Sequence, residues 1–406
     1  MTSNNNIPQG YKQTELGVIP EDWELKSVNK HCTVKARIGW QGLRSDEYLE
    51  SGEYGLITST DIVEGTINWS TCYFVDKSRY LQDPNIIINE DDTLVSKDGT
   101  IGKVGIVQNI PFPSTLNSGV FVIRPRFDNV YKKYFAFVFK SIYFHDFINR
   151  LTAGSTIVHL YQKDIIRFIF PVPPLAEQKA IAKALSDVDA LISALDKKIA
   201  KKKLIKQGAM QQLLTGKKRL PGFTDKWVEK KVKKLFNITR GYVLATHILS
   251  NKSDGYYKYP VYSSQTQNEG ILGFYFDYLF ENAITWTTDG ANAGEVNYRE
   301  GKFFCTNVCG VLISEDGYAN KCVASIINMV AKSHVSYIGN PKLMNNVMAD
   351  IEISIPPTIK EQQAIATILS DMDKEISDLE SKCDKYRLIK QGMMQKLLTG
   401  QNRLNK

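Results

Sequence analysis

Long apolar runs are missing from this chain. No stretch approaches the roughly 18 consecutive apolar residues that mark a membrane-spanning helix, so none of its 406 residues is expected in a bilayer and no membrane partner is expected. The opening MTSNNNIPQGYKQTELG is polar and has no apolar core of the signal-peptide kind. The expected place of action is the cytoplasm. Histidine is scarce: the 5 present are scattered, and no Ser/His/Asp or Cys/His constellation is legible. Cysteine is ordinary in number, at 6. Cys305, Cys309 and Cys322 lie close together, but their spacing fits no zinc pattern and no histidine follows at ligand distance. No metal site is expected, and these residues read as small buried apolar thiols.

Catalytic signatures are missing as well. No phosphate-binding Gly-x-x-x-x-Gly-Lys-Ser/Thr loop occurs, and GTIGK at Gly99–Lys103 is too short for one and reads as a hairpin turn. No glycine-rich nucleotide fingerprint follows a strand. The Asn/Asp-Pro-Pro-aromatic signature of amino-methyltransferases is absent, since VPPL and IPPT lack its polar first and aromatic last residues. Glu24 and Lys26 form a Glu-x-Lys pair beside Trp23, without the upstream acid that nuclease chemistry needs. The chain is expected to be non-catalytic, with no catalytic residues.

What is present begins with a hydrophobic fraction of 43%, enough for packed cores, and a formal charge of +8, which favours a polyanionic partner. The length suits two to three domains. The sequence then repeats itself. LIKQGAMQQLLTG at 204–216 returns as LIKQGMMQKLLTG at 388–400. Extended backwards, the match runs from Pro173 to Leu220 and from Pro356 to Leu404, with one extra residue just after the second pair of prolines. From Glu177 and Glu361 onward it is gapless, and roughly 27 of 44 positions are identical. Two copies mean paired modules, not a solenoid.

Each copy reads as one long helix. Pro-Pro punctuates the entry, Glu177 or Glu361 sits in the first turn where an acid favours the helix dipole, and Gly216 or Gly400 ends the pattern. Apolar residues recur at steps of four and three: Ile181, Leu185, Val188, Ile192, Leu195 and Ile199 in the first copy, and Ile365, Leu369, Met372, Ile376, Leu379, Cys383 and Tyr386 in the second. That is a heptad seam. An antiparallel pairing of the two helices would bury both seams. About 38 helical residues make a rod of about 57 Å, which spans about 17 base pairs of duplex. Lys197, Lys198, Lys201, Lys202, Lys203 and Lys206 form a basic stripe on the first helix, read either as a solvated face or as one turned to phosphate or a partner. The equivalent stretch of the second is less basic. Disrupting Leu213 and Leu214 together is expected to impair helix pairing or one partner's docking and to leave both domains, 1–172 and 221–355, folded.

Residues 1–172 and 221–355, separated by helical segments 173–220 and 356–406, are rich in short β-branched runs and turns. They read as distant copies of one scaffold. Both open on a tryptophan phrase, EDWELKSV or DKWVEKKVKKL. Both carry a strand, a glycine turn and a strand, LVSKDGTIGKVGIV or ITWTTDGANAGEVNY. Both then run from an asparagine into a strand, LNSGVFVI or TNVCGVLI. The expected fold class is α+β: two duplicated α/β domains separated by two long α-helices forming an antiparallel coiled coil, in a pseudo-twofold arrangement.

The loops hold side chains suited to double-stranded DNA. The first segment offers Arg37, Trp40, Gln41 and Arg44, then Lys97, Thr100 and Lys103, then Ser155, Thr156, His159, Tyr161, Gln162 and Lys163. The second offers Arg240 and Tyr242, then Ser263, Ser264, Gln265 and Gln267, then Thr287, Thr288, Asn292 and Asn297. Arg and Lys suit guanine and phosphate, whereas Gln and Asn suit adenine edges. Singly each is an ordinary polar turn residue, and the clustering carries the reading.

The arrangement resembles the DNA-specificity subunits of type I restriction–modification enzymes. YKQTELGVIPEDWELKSV is similar to the family's opening. GSTIVHLYQKDI followed by FPVPPLAEQKAIAKAL is similar to its passage into the first conserved helix, and ISIPPTIKEQQAIATIL with QGMMQKLLTG to the second. WTTDGANAGEVNYREGKFFCTNVCGV is similar to a recognition-domain core. The resemblance implies two target recognition domains that read the halves of a split DNA sequence, and helices that dock two methyltransferase subunits. It implies that restriction subunits join through the complex, and that the cell is bacterial or archaeal. S-adenosylmethionine, ATP and Mg belong to those partners, with no cofactor in this chain. Three alternatives stay open: a specificity subunit of a two-subunit type II system, a coiled-coil adapter that binds no DNA, and a methyltransferase with a degenerate motif.

Overall fold

The phrase LVSKDGTIGKVGIV folds as an antiparallel pair, Thr93–Ser96 with Val104–Ile106, joined by a tight turn in which Gly99 and Gly102 take positive φ values of 72° and 79°. ITWTTDGANAGEVNY does the same, with Phe280–Thr287 against Val296–Cys305. Each pair is the centre of its own sheet. The computed structural model describes residues 7–153 and 159–404. These fall into two compact units: Met1–Ala194 with Lys382–Lys406, and Leu195–Ser381.

In the first unit the strand order is Cys32–Lys35, Val120–Pro125, Thr93–Ser96, Val104–Ile106, Thr66–Ile67, Ile62–Val63. In the second it is Asn237–Arg240, Cys309–Ile313, Phe280–Thr287, Val296–Cys305, Tyr259–Tyr262, Ile271–Tyr275. Both sheets are antiparallel except at one step, where Val104–Ile106 runs parallel to Thr66–Ile67 and Val296–Cys305 parallel to Tyr259–Tyr262. Each unit also closes its chain ends with a two-stranded ladder: Glu24–Ser27 with Ile169–Val172, and Val228–Lys231 with Glu352–Ile355. The first four positions of the two orders are filled in the same chain sequence, whereas the last two are reversed: the inner strand Thr66–Ile67 follows its edge strand in the chain, but the inner strand Tyr259–Tyr262 precedes its own. The amphipathic run VYKKYFAFVFKSIYFHDFINRL forms two helices, Lys132–Phe139 and Ile142–Thr152, in the first unit.

The repeats form helices Leu175–Leu213 and Ile359–Leu398. Within the first unit, the start of the first helix and the end of the second run antiparallel: Asp189 pairs with Lys390 and Glu177 with Arg403. Within the second unit, the end of the first and the start of the second do likewise: Lys206 pairs with Asp373 and Arg219 with Glu361. All the heptad positions are sheltered. Ile181, Leu185, Leu195, Ile199, Ile365, Leu369, Ile376 and Cys383 are buried, while Val188, Ile192, Met372, Leu379 and Tyr386 are half-buried. Gly216 and Gly400 take positive φ values of 68° and 72° just past the helix ends, the left-handed conformation that a C-terminal cap needs.

Two expectations change. The lysine stripe is in part a set of helix-to-helix ion pairs. Lys202 meets Glu375, Lys203 meets Glu380 and Lys206 meets Asp373, all inside the second unit. The asymmetry between the repeats thus has a physical reason, since lysines of one copy face acids of the other. Burial works against the charge on Asp373, but Lys206 and Lys321 outweigh it and hold the carboxyl below its usual range. Lys197, Lys198 and Lys201 stay exposed. The second change concerns Leu213 and Leu214. Both are buried in the core of the second unit, in a cluster that includes Val232, Phe236 and Trp286. Disrupting them would therefore damage that unit's own domain.

The acids at the helix starts do more than face a dipole. In the first unit Glu177 is buried and takes a two-pronged ion pair from Arg403, 2.7 Å at each oxygen, and a hydrogen bond from the Trp23 indole at 3.1 Å. In the second unit Glu361 receives Arg219 at 2.7 and 2.8 Å, with the Trp227 indole at 3.5 Å. The neighbouring glutamines are also buried. The Gln178 amide donates to Pro173 and Asn129 carbonyls and accepts from the Tyr131 N–H. The Gln362 amide donates to Pro356 and accepts from Asn320. Each Glu-Gln pair therefore ties one helix start to its recognition segment and to the closing end of the other repeat.

Candidate nucleic-acid interface

The Asp-Gly turn lies at the same place in both units, and backbone hydrogen bonds fix the correspondence. Lys97 N donates to the Gly119 carbonyl, and the Lys97 carbonyl accepts from Leu160 N. Thr288 N donates to the Val308 carbonyl, and the Thr288 carbonyl accepts from Leu343 N. Asp98 and Asp289 follow, each bridged to the loop before a closing strand, at His159 and Lys342 respectively. Each turn carboxylate carries a base. His159 Nδ1 lies 2.5 Å from Asp98 Oδ1. Asp289 is met by Arg240 at 3.0 Å and more loosely by Lys342 at 4.0 Å.

In the first unit this edge surrounds a cleft of about 410 Å³. Lys97, His159, Tyr161 and Gln162, all expected to face DNA, line it together with Ile38, Asp98 and Ser118. Lys163 is exposed, with its ammonium 5.4 Å from the Tyr161 ring centre. Lys97 is half-buried over the Phe121 ring at 5.3 Å. In the second unit Arg240 and the exposed Tyr242 occupy the matching edge.

Several expected contacts belong elsewhere. Arg37 borders the cleft but is only 1% exposed and is a structural strut: its guanidinium donates to the carbonyls of Leu116 and Arg79, to Gln82 and to Thr115. Burial lowers its pKa from the usual arginine value. Gln41 is buried, and among the described residues its Oε1 has no hydrogen-bond partner. Thr288 is fully buried and donates to Asp289 and to the Val308 carbonyl. Ser263, Gln265, Asn297 and the buried Thr287 line a groove of about 830 Å³ whose wall includes Lys203, Lys206 and Asp373 of the helices. Asp289 is not among the residues that line this groove. Ser264 is half-buried, and its carbonyl accepts from Asn292. Arg44 and Thr100 are exposed, and Lys103 is half-buried on the hairpin turn. Ser155 and Thr156 lie outside the described residues, as do the side chains of Trp40 and Gln267.

Sequence reasoning missed Asp98, Asp289 and Lys342, although the shared Asp-Gly phrase was in view. It also left Ile38, 48% exposed beside the turn, without a role. The cysteines are buried thiols, and burial pushes Cys309 up to about 11 and Cys322 up to about 12. Lys26 is buried and lies 3.7 Å from Glu24 on the first closing ladder.

The sequence matches the family described as "Type I restriction modification DNA specificity domain" twice, over residues 20–205 and 224–385. The chain belongs to this family of type I specificity subunits. Among its relatives, a putative type I specificity subunit N-terminus from Mycoplasma pneumoniae is 41% identical over 142 residues, covering 34% of this chain and 74% of that one. A putative type I restriction enzyme specificity subunit from Methanocaldococcus jannaschii is 30% identical over 212 residues, 52% of this chain and 47% of its own. The specificity subunit of a type I restriction enzyme of M. pneumoniae is 38% identical over 152 residues, 36% of this chain and 44% of its own. Two of these three alignments thus span about half of the relative's length or less.

The fold agrees with solved structures. The crystal structure of a type I restriction–modification S subunit from M. genitalium matches with a TM-score of 0.66 at 16% identity, over 98% of each chain. A chain from a structure on complex assembly and conformational transition of the type I system matches with a TM-score of 0.53 at 12% identity, over 95% of this chain and 99% of that one. Among the described residues no helix is long and apolar enough to cross a membrane.

Proposed function

We propose that this specificity subunit selects a bipartite duplex DNA target for a type I restriction–modification complex, each recognition domain reading one half. The chain itself carries out no chemistry. Methyltransferase subunits bring S-adenosylmethionine and modify adenine, and restriction subunits bring ATP and Mg. The observation that carries the reading is the combination of sameness and difference between the two units. The first four positions of the sheet order and the Glu–Arg–Trp joint are repeated, whereas the Asp-Gly edge presents Lys97, His159 and Tyr161 in one unit and Arg240, Tyr242 and Lys342 in the other. A repeated scaffold with different edges suits an adapter that reads two different sequences.

The repeated helices also support docking of two copies of one partner. Leu204 and Ile205 are 68% and 47% exposed, and their repeat equivalents Leu388 and Ile389 are 69% and 40% exposed. The same unpartnered Leu-Ile pair, written twice, fits two identical methyltransferase subunits. Helix length is proposed to set the spacer between the half-sites. The DNA reading is tested by duplex binding under salt titration. Affinity should fall linearly with salt on a log–log scale, as phosphate contacts require. A flat response would favour a protein-binding adapter instead.

A further inference from the structure

The cleft beside the first Asp-Gly turn has the form of a pocket. Its volume of about 410 Å³ falls in the range of small-ligand sites. Two large apolar side chains on its lining are left in water, Ile38 at 48% and Tyr161 at 56% exposure. Covering them would be favourable. The polar lining is rich in donors, with Lys97, His159, Gln162 and Ser118. Among the described residues of the lining the carboxylate is Asp98, and His159 engages it. A flat, partly apolar group with acceptor atoms, attached to a polyanion, satisfies these features together. The second unit places exposed apolar residues at the matching positions around Asp289, with Tyr242 at 65% and Met344 at 38% exposure.

We propose that the first cleft takes a single nucleobase, unstacked from the half-site that the first recognition domain reads and held between Ile38 and Tyr161. The proposal rests on the DNA reading above and adds a mode of recognition to it. Aromatic and apolar side chains hold unstacked bases in this way, and the pairing and stacking lost on extrusion are the opposing cost. That cost falls when the base has no partner across the duplex, which makes the proposal testable.

The target is first mapped by sequencing methylated adenines. Duplexes are then prepared with one abasic residue opposite each base of the half-site in turn, and binding of the full chain is followed by fluorescence anisotropy at fixed salt. At one position the abasic duplex should bind about tenfold tighter than the intact one. Tyr161→Ala and Ile38→Ala should each lose that gain while keeping the salt slope on non-target duplex and the melting profile of the unmodified chain, the latter reporting a folded protein. Absence of any tightened position would overturn the proposal in favour of groove contacts alone. Survival of the gain in both variants would overturn the placement in this cleft. Absence of salt-dependent duplex binding by the unmodified chain would instead overturn the DNA reading, and the proposal with it.

Discussion

Arg219 and Arg403 hold the same place in the two repeats, 184 positions apart, as do Glu361 and Glu177. Each arginine grips a carboxylate that is almost wholly withdrawn from water. Removing one partner of such a pair leaves a buried charge uncompensated, at a cost of roughly 3–5 kcal/mol. Arg219→Ala is therefore expected to destabilise the second unit by about that much, measured by denaturant titration, with hydrogen exchange locating the loss. A loss below about 0.5 kcal/mol, the level of an ordinary surface change, would contradict the assignment. These residues stood in plain view in the repeat, yet their meeting did not. The partners come from different copies, and only the antiparallel pairing brings them together. Arg37 shows the opposite failure. Its charge and loop setting suggested a phosphate contact, but four acceptors enclose it in the interior.

The long helices were the most legible elements, because a heptad seam states its own burial. The strand order was partly legible, through the Trp, Asp-Gly and Asn phrases that both domains share. Which face of each loop meets solvent was not, since Gln265 sits in the loop after Tyr259–Tyr262 and Asn297 follows the buried Val296 on a diverged strand. Within the repeat, two adjacent Leu-containing words have different fates. Leu213 and Leu214 are buried in the second core, and each Leu→Ala change should cost about 2–5 kcal/mol and lower the melting point of that unit. Leu204 and Ile205 are exposed, so replacing both with Ser should leave stability within about 0.5 kcal/mol and still weaken co-purification with the methyltransferase subunit. Undiminished co-purification of the Leu204→Ser/Ile205→Ser variant would remove this pair from the docking surface.

At the scale of the whole molecule the chain is one scaffold written twice, with the constant parts in the helices and joints and the variable parts at the Asp-Gly edges. The central claim is that each recognition domain reads its half of the target independently. Its most direct test replaces residues 1–172 with the corresponding segment of another family member. Methylated adenines are then mapped by single-molecule sequencing in cells that carry the chimera and its partner subunits. One half-site should change while the other keeps its sequence. A change in both halves, or in neither, would contradict the claim.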